Sequence, residues 1–221
     1  MKGFLVKDFC LLAGQKKLFL LYIFLMIFMS YAMESSFIIS YFPMIATLLA
    51  FSTITYDSFD NGMAFIMTMP GARKNYANSK YLLSFIIIAA SWVAALVLQF
   101  ATLMIKKEAF DTFDLLGQDM LYVPIFLIIS SIIIPVVLKY GAEKGRIIMI
   151  IIFGIAALII LAGTKLSRSG DLNIGFDTKA FISTIESISP FIIAAGLAAV
   201  AFIIMLISMI ISNSIMKKKE Y

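Results

Sequence analysis

Tyr56–Tyr81 reads YDSFDNGMAFIMTMPGARKNYANSKY, a polar interruption between two long apolar runs. Phe59, Met63, Ile66 and Met67 fall at i, i+4, i+7 and i+8, which is one apolar stripe on a short helix. Asp57 and Asp60 stand at its expected N-terminal end, where the helix dipole favours negative charge, and Asn61 and Phe65 lie within the same stretch. Pro70–Gly71 breaks that helix. Arg73 and Lys74 follow, and a new helix is expected to run through Lys80 into the next apolar run. Ser79 is too deep to cap that run, which points to an earlier start. A short amphipathic helix of this kind either rests on lipid headgroups or offers its apolar side to a groove on a soluble partner. Spacing alone favours the first, and the charge pattern does not separate them.

On either side of this loop the chain is dominated by apolar runs. Of its 221 residues 62% are hydrophobic and 14% charged, with a mean hydropathy of +1.02. A soluble domain is nearer half apolar and a quarter charged, so a water-soluble enzyme core is excluded, as is a disordered chain. A helix needs about 20 apolar residues to cross the hydrocarbon layer. Six runs qualify: Leu18–Met33, Ser35–Tyr56, Tyr81–Ile105, Met120–Leu138, Ile147–Thr164 and Pro190–Met216, none holding a charged residue. The first is short, and Lys16 and Lys17 extend it by snorkelling. The break at Glu34 reads as a tight hairpin. A count of five is the rival reading. No small-residue cleavage site follows the first run, so it is expected to stay as an anchor. The expected fold is a single all-α, polytopic membrane domain over residues 1–221.

Basic residues set the orientation. With six crossings, thirteen Lys and Arg fall on the side of the termini and five on the other. Acidic residues divide five to eight, so the terminal side carries +8 and the opposite side −3. Both termini are therefore expected in the cytoplasm. The stretch before the first span forms an apolar stripe of Leu5, Phe9, Leu12 and Ala13, expected to lie at the interface, with Phe4 and Leu11 opposite.

The chain has no histidine and one cysteine, Cys10, which excludes an internal disulfide, a Cys/His metal cluster and any His-based triad. Glu34, Asp57 and Glu186 lie at span ends and read as rim carboxylates meeting water. A proton-coupled transporter is expected to need an ionisable group at mid-depth. No potassium-channel filter sequence occurs. Asp111, Asp114 and Asp119 form the one acidic cluster and read as a solvated outer loop rather than an enzyme site. Met26, Met29 and Met33 share a helix face, which reads as packing or lipid contact ahead of an adaptable cargo seam. Pro43 and Pro135 sit within spans and are tolerated where a neighbour satisfies the freed carbonyl. Pro190 is placed to start the last span. The outer segment 165–189 is left open between a short helix and a re-entrant turn. No G-x-x-x-x-G-K-[ST] phosphate loop is present, and Leu12–Lys16 lacks the glycine pair of an ABC signature loop.

Three stretches carry a family likeness: Lys7-Asp8-Phe9 with Leu11-Leu12, Thr55-Tyr56-Asp57 running into Asn61-Gly62, and Met69-Pro70-Gly71-Ala72-Arg73-Lys74 continuing to Ser79-Lys80-Tyr81. In these, and in span number, the chain resembles the ABC-2 family of transporter permeases, in its small six-span bacterial branch. The resemblance implies a homo- or heterodimer of permeases in the plasma membrane, bound to separate ATP-binding subunits, with no cofactor of its own. It also implies that the loop helix near Asp57–Met69 is the coupling helix docking in the ATPase, which favours the partner-groove reading, and that Arg73, Lys74 and Lys80 are inner-rim basic residues. Within that branch the chain is similar to permeases that export phenol-soluble modulins, short amphipathic helical toxins. An amphipathic or hydrophobic cargo is then expected. The alternative is a membrane immunity or interaction subunit without transport activity of its own.

Overall fold

Backbone amides cannot stay unpaired in hydrocarbon, so the apolar runs are driven to form helices. In the computed structural model each element is an α-helix. The structure describes residues 2–32, 35–59, 62–69, 71–107, 112–169 and 189–219. Met33, Glu34, Asp60, Asn61, Pro70, Asp111, Glu186, the Asp114 side chain and most of segment 165–189 lie outside the described residues.

The order is α1 (Lys2–Gly14), α2 (Lys16–Ala32), α3 (Ser35–Ser58), α4 (Gly62–Met67), α5 (Ala72–Lys106), α6 (Thr112–Asp119), α7 (Tyr122–Ser169) and α8 (Pro190–Lys218). Four helical stretches are long and apolar enough to cross a membrane: Phe37–Ser58, Ala72–Lys106, Leu115–Gly141 and Pro190–Lys218. A fifth arises if α1 and α2, bent by 65° at their junction, are taken as one. Six separate long helices are thus not found among the described residues. The expected first span falls in α2, whose 17 residues are short of a full crossing. The expected fifth, Ile147–Thr164, lies in the arm of α7 beyond a non-helical break at Gly141, where two helices meet across a kink.

A straight α7 of 48 residues would be about 72 Å long. It is broken at Gly141, whose φ of 80° and ψ of 174° suit glycine alone. A Cβ on Gly145 would lie 3.1 Å from the Val137 Cα. Residues eight apart in a straight helix are about 12 Å apart, so the chain folds back on itself here. The break leaves the Leu138 carbonyl without its helical donor, and Lys219 Nζ supplies one at 2.8 Å. Arg73 donates to the Lys217 carbonyl at 3.2 Å. The start of α5, the Gly141 turn and the end of α8 therefore share one end of the bundle. At the other end α6 closes on the start of α8: the rings of Phe113 and Phe191 pack 4.4 Å apart with their planes tilted by 43°, and a Cβ on Gly117 would sit 2.9 Å from the Pro190 side chain.

Proline inside α7 has a specific partner. Pro135 offers no N–H to the Ser131 carbonyl, and the Ser208 hydroxyl of α8 donates to it instead. With that proton committed, Ser208 Oγ accepts from the Tyr81 hydroxyl at 2.6 Å, and Tyr81 in turn accepts from Ser212 at 2.7 Å. Ala194, Ala201 and Ser208 recur every seven residues along the buried side of α8, small side chains that allow close helix approach. Pro190 starts α8, as expected. α5 begins at Ala72, nine residues ahead of the apolar run, after a left-handed Gly71. Met26 packs with Ile38, Ile39, Phe42 and Ala95, so this methionine serves packing.

Substituting Gly141 by alanine is expected to cost about 1–3 kcal/mol, since the dihedrals exclude a Cβ. Ser208→Ala is expected to cost about 1 kcal/mol by leaving the Ser131 carbonyl bare. Thermal unfolding in detergent measures both; an unchanged midpoint for Gly141→Ala would mean the turn does not depend on that conformation.

Candidate functional site

Four charged side chains from three helices meet at the end of the bundle where α5 starts. Lys80, in the third turn of α5, is 1% exposed. Its ammonium has three protons and three acceptors: Asp8 Oδ1 of α1 at 2.8 Å, Asp57 Oδ2 of α3 at 2.8 Å and Thr53 Oγ1 at 3.0 Å. The Tyr76 hydroxyl also donates to Asp57 Oδ2, at 2.8 Å. Lys7 donates to Asp57 Oδ1 and stands 3.2 Å from Asp8 Oδ1. The Tyr76 ring lies beneath both ammonium groups, 5.0 Å from Lys80 and 5.7 Å from Lys7. Phe4 meets that ring edge-on. Two lysines balance two aspartates, and Lys7 alone of the four keeps partial access to solvent. Asp8 Oδ2 is buried without a hydrogen-bond partner among the described residues.

This arrangement corrects three expectations. Asp57 is neither a rim carboxylate nor the first turn of the loop helix; it ends α3 and is buried. Lys80 is no inner-rim cation but the centre of the cluster. In α1 the fully buried positions are Asp8 and Leu12, with Phe4 packed against the core, so the inward face is Phe4, Asp8 and Leu12. Phe9 is exposed. An apolar periodicity misses that face because its middle residue is a carboxylate.

The loop helix exists as α4, and its expected stripe divides. Met63 and Ile66 are buried in one cluster with Phe51, Ile54, Tyr76 and Met216, and Met67 packs at its edge. Phe59 and Phe65 face outward, 58% and 68% exposed. Tyr56 stands edge-on to Phe59. A Cβ on Gly62 would meet the Asp57 carbonyl oxygen at 3.0 Å, so glycine permits α4 to start against the end of α3. α4 is therefore seated in the core on one side, beside the ionic cluster, and bare on the other.

Two cavities border this region. One of about 640 Å³ lies in the bend between α1 and α2 against α3 and α5, lined by apolar groups such as Leu12, Leu20, Ile23, Leu49 and Ile87, with Lys16 on its wall. A second, of about 450 Å³, lies between α3 and the returning arm of α7, bounded by Tyr56, Phe59, Arg146 and Met149.

Residues 3–217 match the family described as ABC-2 family transporter protein. The chain belongs to the ABC-2 family. No curated protein and no solved structure matches it. As an ABC-2 permease it is a membrane transport subunit that performs no catalysis itself, and its family context implies an ATP-binding partner subunit. Among the described residues of this ABC-2 chain no group of His, Cys, Asp or Glu is placed to hold a metal. The stretches that carry the likeness to ABC-2 permeases, Lys7-Asp8-Phe9, Thr55-Tyr56-Asp57 and Ser79-Lys80-Tyr81, are separated in sequence and join in the ionic cluster.

Removing Lys80 alone leaves two carboxylates facing one half-exposed lysine. Lys80→Met is expected to destabilise the protein by about 3–5 kcal/mol. The double variant Asp8→Leu/Lys80→Met keeps the Lys7–Asp57 pair and is expected to recover most of that loss. Unfolding midpoints in detergent read both; a double variant no better than the single one would show that the charges are not coupled.

Proposed function

We propose that the chain is the permease subunit of an ATP-driven exporter in the bacterial plasma membrane, and that α4 receives the working stroke of the ATP-binding subunit. The observation that carries this reading is the two-sided seat of α4: Met63 and Ile66 locked in the core, Phe65 exposed, and Phe59 exposed just after the end of α3. An exposed aromatic on a helix fixed from behind, with a second before it, suits a groove on a soluble partner. Because α4 abuts Asp57, and Asp57 is bound to α1 and α5 through Lys7 and Lys80, a push on α4 is passed to three helices together.

Six crossings with both termini in the cytoplasm fit this reading. Counting α2 and each arm of α7 as a crossing beside α3, α5 and α8 would give the six. The common location of the α5 start, the Gly141 turn and the α8 end supports an even number. Two permeases, identical or related, would enclose the pathway, each with an ATP-binding subunit below. ATP binding draws those subunits together, α4 moves with them, and hydrolysis resets the bundle. Cargo shifts that equilibrium only by its differential affinity for the two states. The apolar lining of the larger cavity supports an amphipathic or hydrophobic cargo, and the resemblance to phenol-soluble-modulin exporters suggests helical toxin peptides.

Phe59→Asp/Phe65→Asp is expected to abolish co-purification of the ATP-binding subunit while leaving the unfolding midpoint unchanged. Met63→Asp and Ile66→Asp, in the core, are expected to lower that midpoint instead. Retained co-purification of the Phe59/Phe65 variant would defeat the coupling role of α4. In vesicles holding the complex, an amphipathic helical peptide should stimulate ATP hydrolysis, and a scrambled peptide of equal composition should not.

A further inference from the structure

A third cavity, of about 500 Å³, lies where the end of α8 meets the last turn of α7 before Gly141. Lys139, Lys218 and Lys219 border it, and Ile210, Ile211 and Ile215 line the rest together with Ser214. Among the described residues none that lines it is acidic. Lys139 and Lys218 are exposed, while Lys219 is partly buried and donates to the Leu138 carbonyl. That burial pulls the Lys219 ammonium below the ordinary lysine range. The isoleucines point the other way in chemistry: Ile210 and Ile211 are 67% and 48% exposed on the apolar length of α8.

We infer that this groove is a binding site for one anionic phospholipid, the phosphate headgroup held by Lys139, Lys218 and Lys219 and an acyl chain laid along Ile210, Ile211 and Ile215. A soluble phosphate satisfies the lysines and leaves the isoleucines bare. A neutral lipid covers the isoleucines and offers no negative charge to the exposed Lys139 and Lys218. Only an amphiphile with a negative head fits both, and basic pockets between membrane helices take such headgroups. None of its lining residues belongs to the Lys80 cluster or to α4, so its test does not depend on the coupling proposal. Its occupant bridges the two helices that Lys219 already ties at the Gly141 turn, so binding should also hold that turn closed.

The test uses the purified full-length chain in detergent, titrated with phosphatidylglycerol or phosphatidylcholine and read by native mass spectrometry. Phosphatidylglycerol should be retained in preference to phosphatidylcholine. Lys139→Gln/Lys218→Gln removes two exposed lysines and spares the Lys219–Leu138 bond; it should lower apparent affinity for phosphatidylglycerol about 30-fold. Its unfolding midpoint without lipid should match that of the native chain, and its midpoint should rise less when phosphatidylglycerol is added. Lys106→Gln/Lys107→Gln makes the same charge change at the far end of α5 and should leave retention intact. Excess glycerol 3-phosphate should not displace the lipid. Undiminished retention by the Lys139/Lys218 variant overturns the inference. So does an equal loss in the Lys106/Lys107 variant, which would signify surface attraction alone, or displacement by glycerol 3-phosphate, which would make the ligand a free phosphate.

Discussion

The fold at the lysine-rich end rests on one buried ammonium. Lys80 has no water to turn to, and its three protons are taken by Asp8, Asp57 and Thr53 from two other helices. A buried ion pair often contributes little net stability against an apolar replacement, because desolvation offsets attraction. What the geometry of Lys80 supplies is position. α1 has few apolar residues turned inward, and the Asp8–Lys80 bond fixes where along α5 it sits. The same ammonium holds the end of α3, and α4 starts from there. Lys80 thus fixes the end of α3, from which Phe59 and, on the loop helix, Phe65 are presented.

Much of the scaffold was legible in the sequence. Apolar runs of sufficient length had to become helices, Pro190 and Gly71 marked helix starts, and the i, i+4, i+7 spacing marked α4. The six-span count was less legible, since hydropathy does not show that a single glycine turn joins the fourth and fifth runs or that α2 falls short of a full crossing. The ionic cluster was least legible. Asp8, Asp57 and Lys80 each flank an apolar run, and a charge in that position normally meets water. Opposite signs at the same expected end were the available clue, but pairing across 23 to 72 positions of sequence is a tertiary fact. The division of the α4 stripe was hidden for a related reason: spacing identifies an apolar face without saying whether the protein's own core or a partner covers it.

The polar seam between α5, α7 and α8 follows the same rule in hydrocarbon as the ionic cluster does at its edge. Each buried donor or acceptor introduced by a proline or a tyrosine is answered by a neighbour: Pro135 by Ser208, Tyr81 by Ser208 and Ser212. Between helices surrounded by lipid no hydrophobic force favours protein contact over lipid contact, so such bonds and small-residue packing decide which helices associate. The outward isoleucines and phenylalanines of α2 and α8 are the ordinary complement of this, surfaces matched to acyl chains.

The proline in α7 also imposes an order on biogenesis. Its orphaned carbonyl at Ser131 is answered by a hydroxyl 77 positions later in the chain, and the Leu138 carbonyl by a lysine 81 positions later. On the ribosome α7 is complete long before either partner has been made. A bare peptide oxygen in hydrocarbon costs several kcal/mol, so this helix is at a disadvantage entering lipid alone and gains by waiting at the translocon's wetter mouth until α8 emerges. The two then partition into the bilayer as a pair.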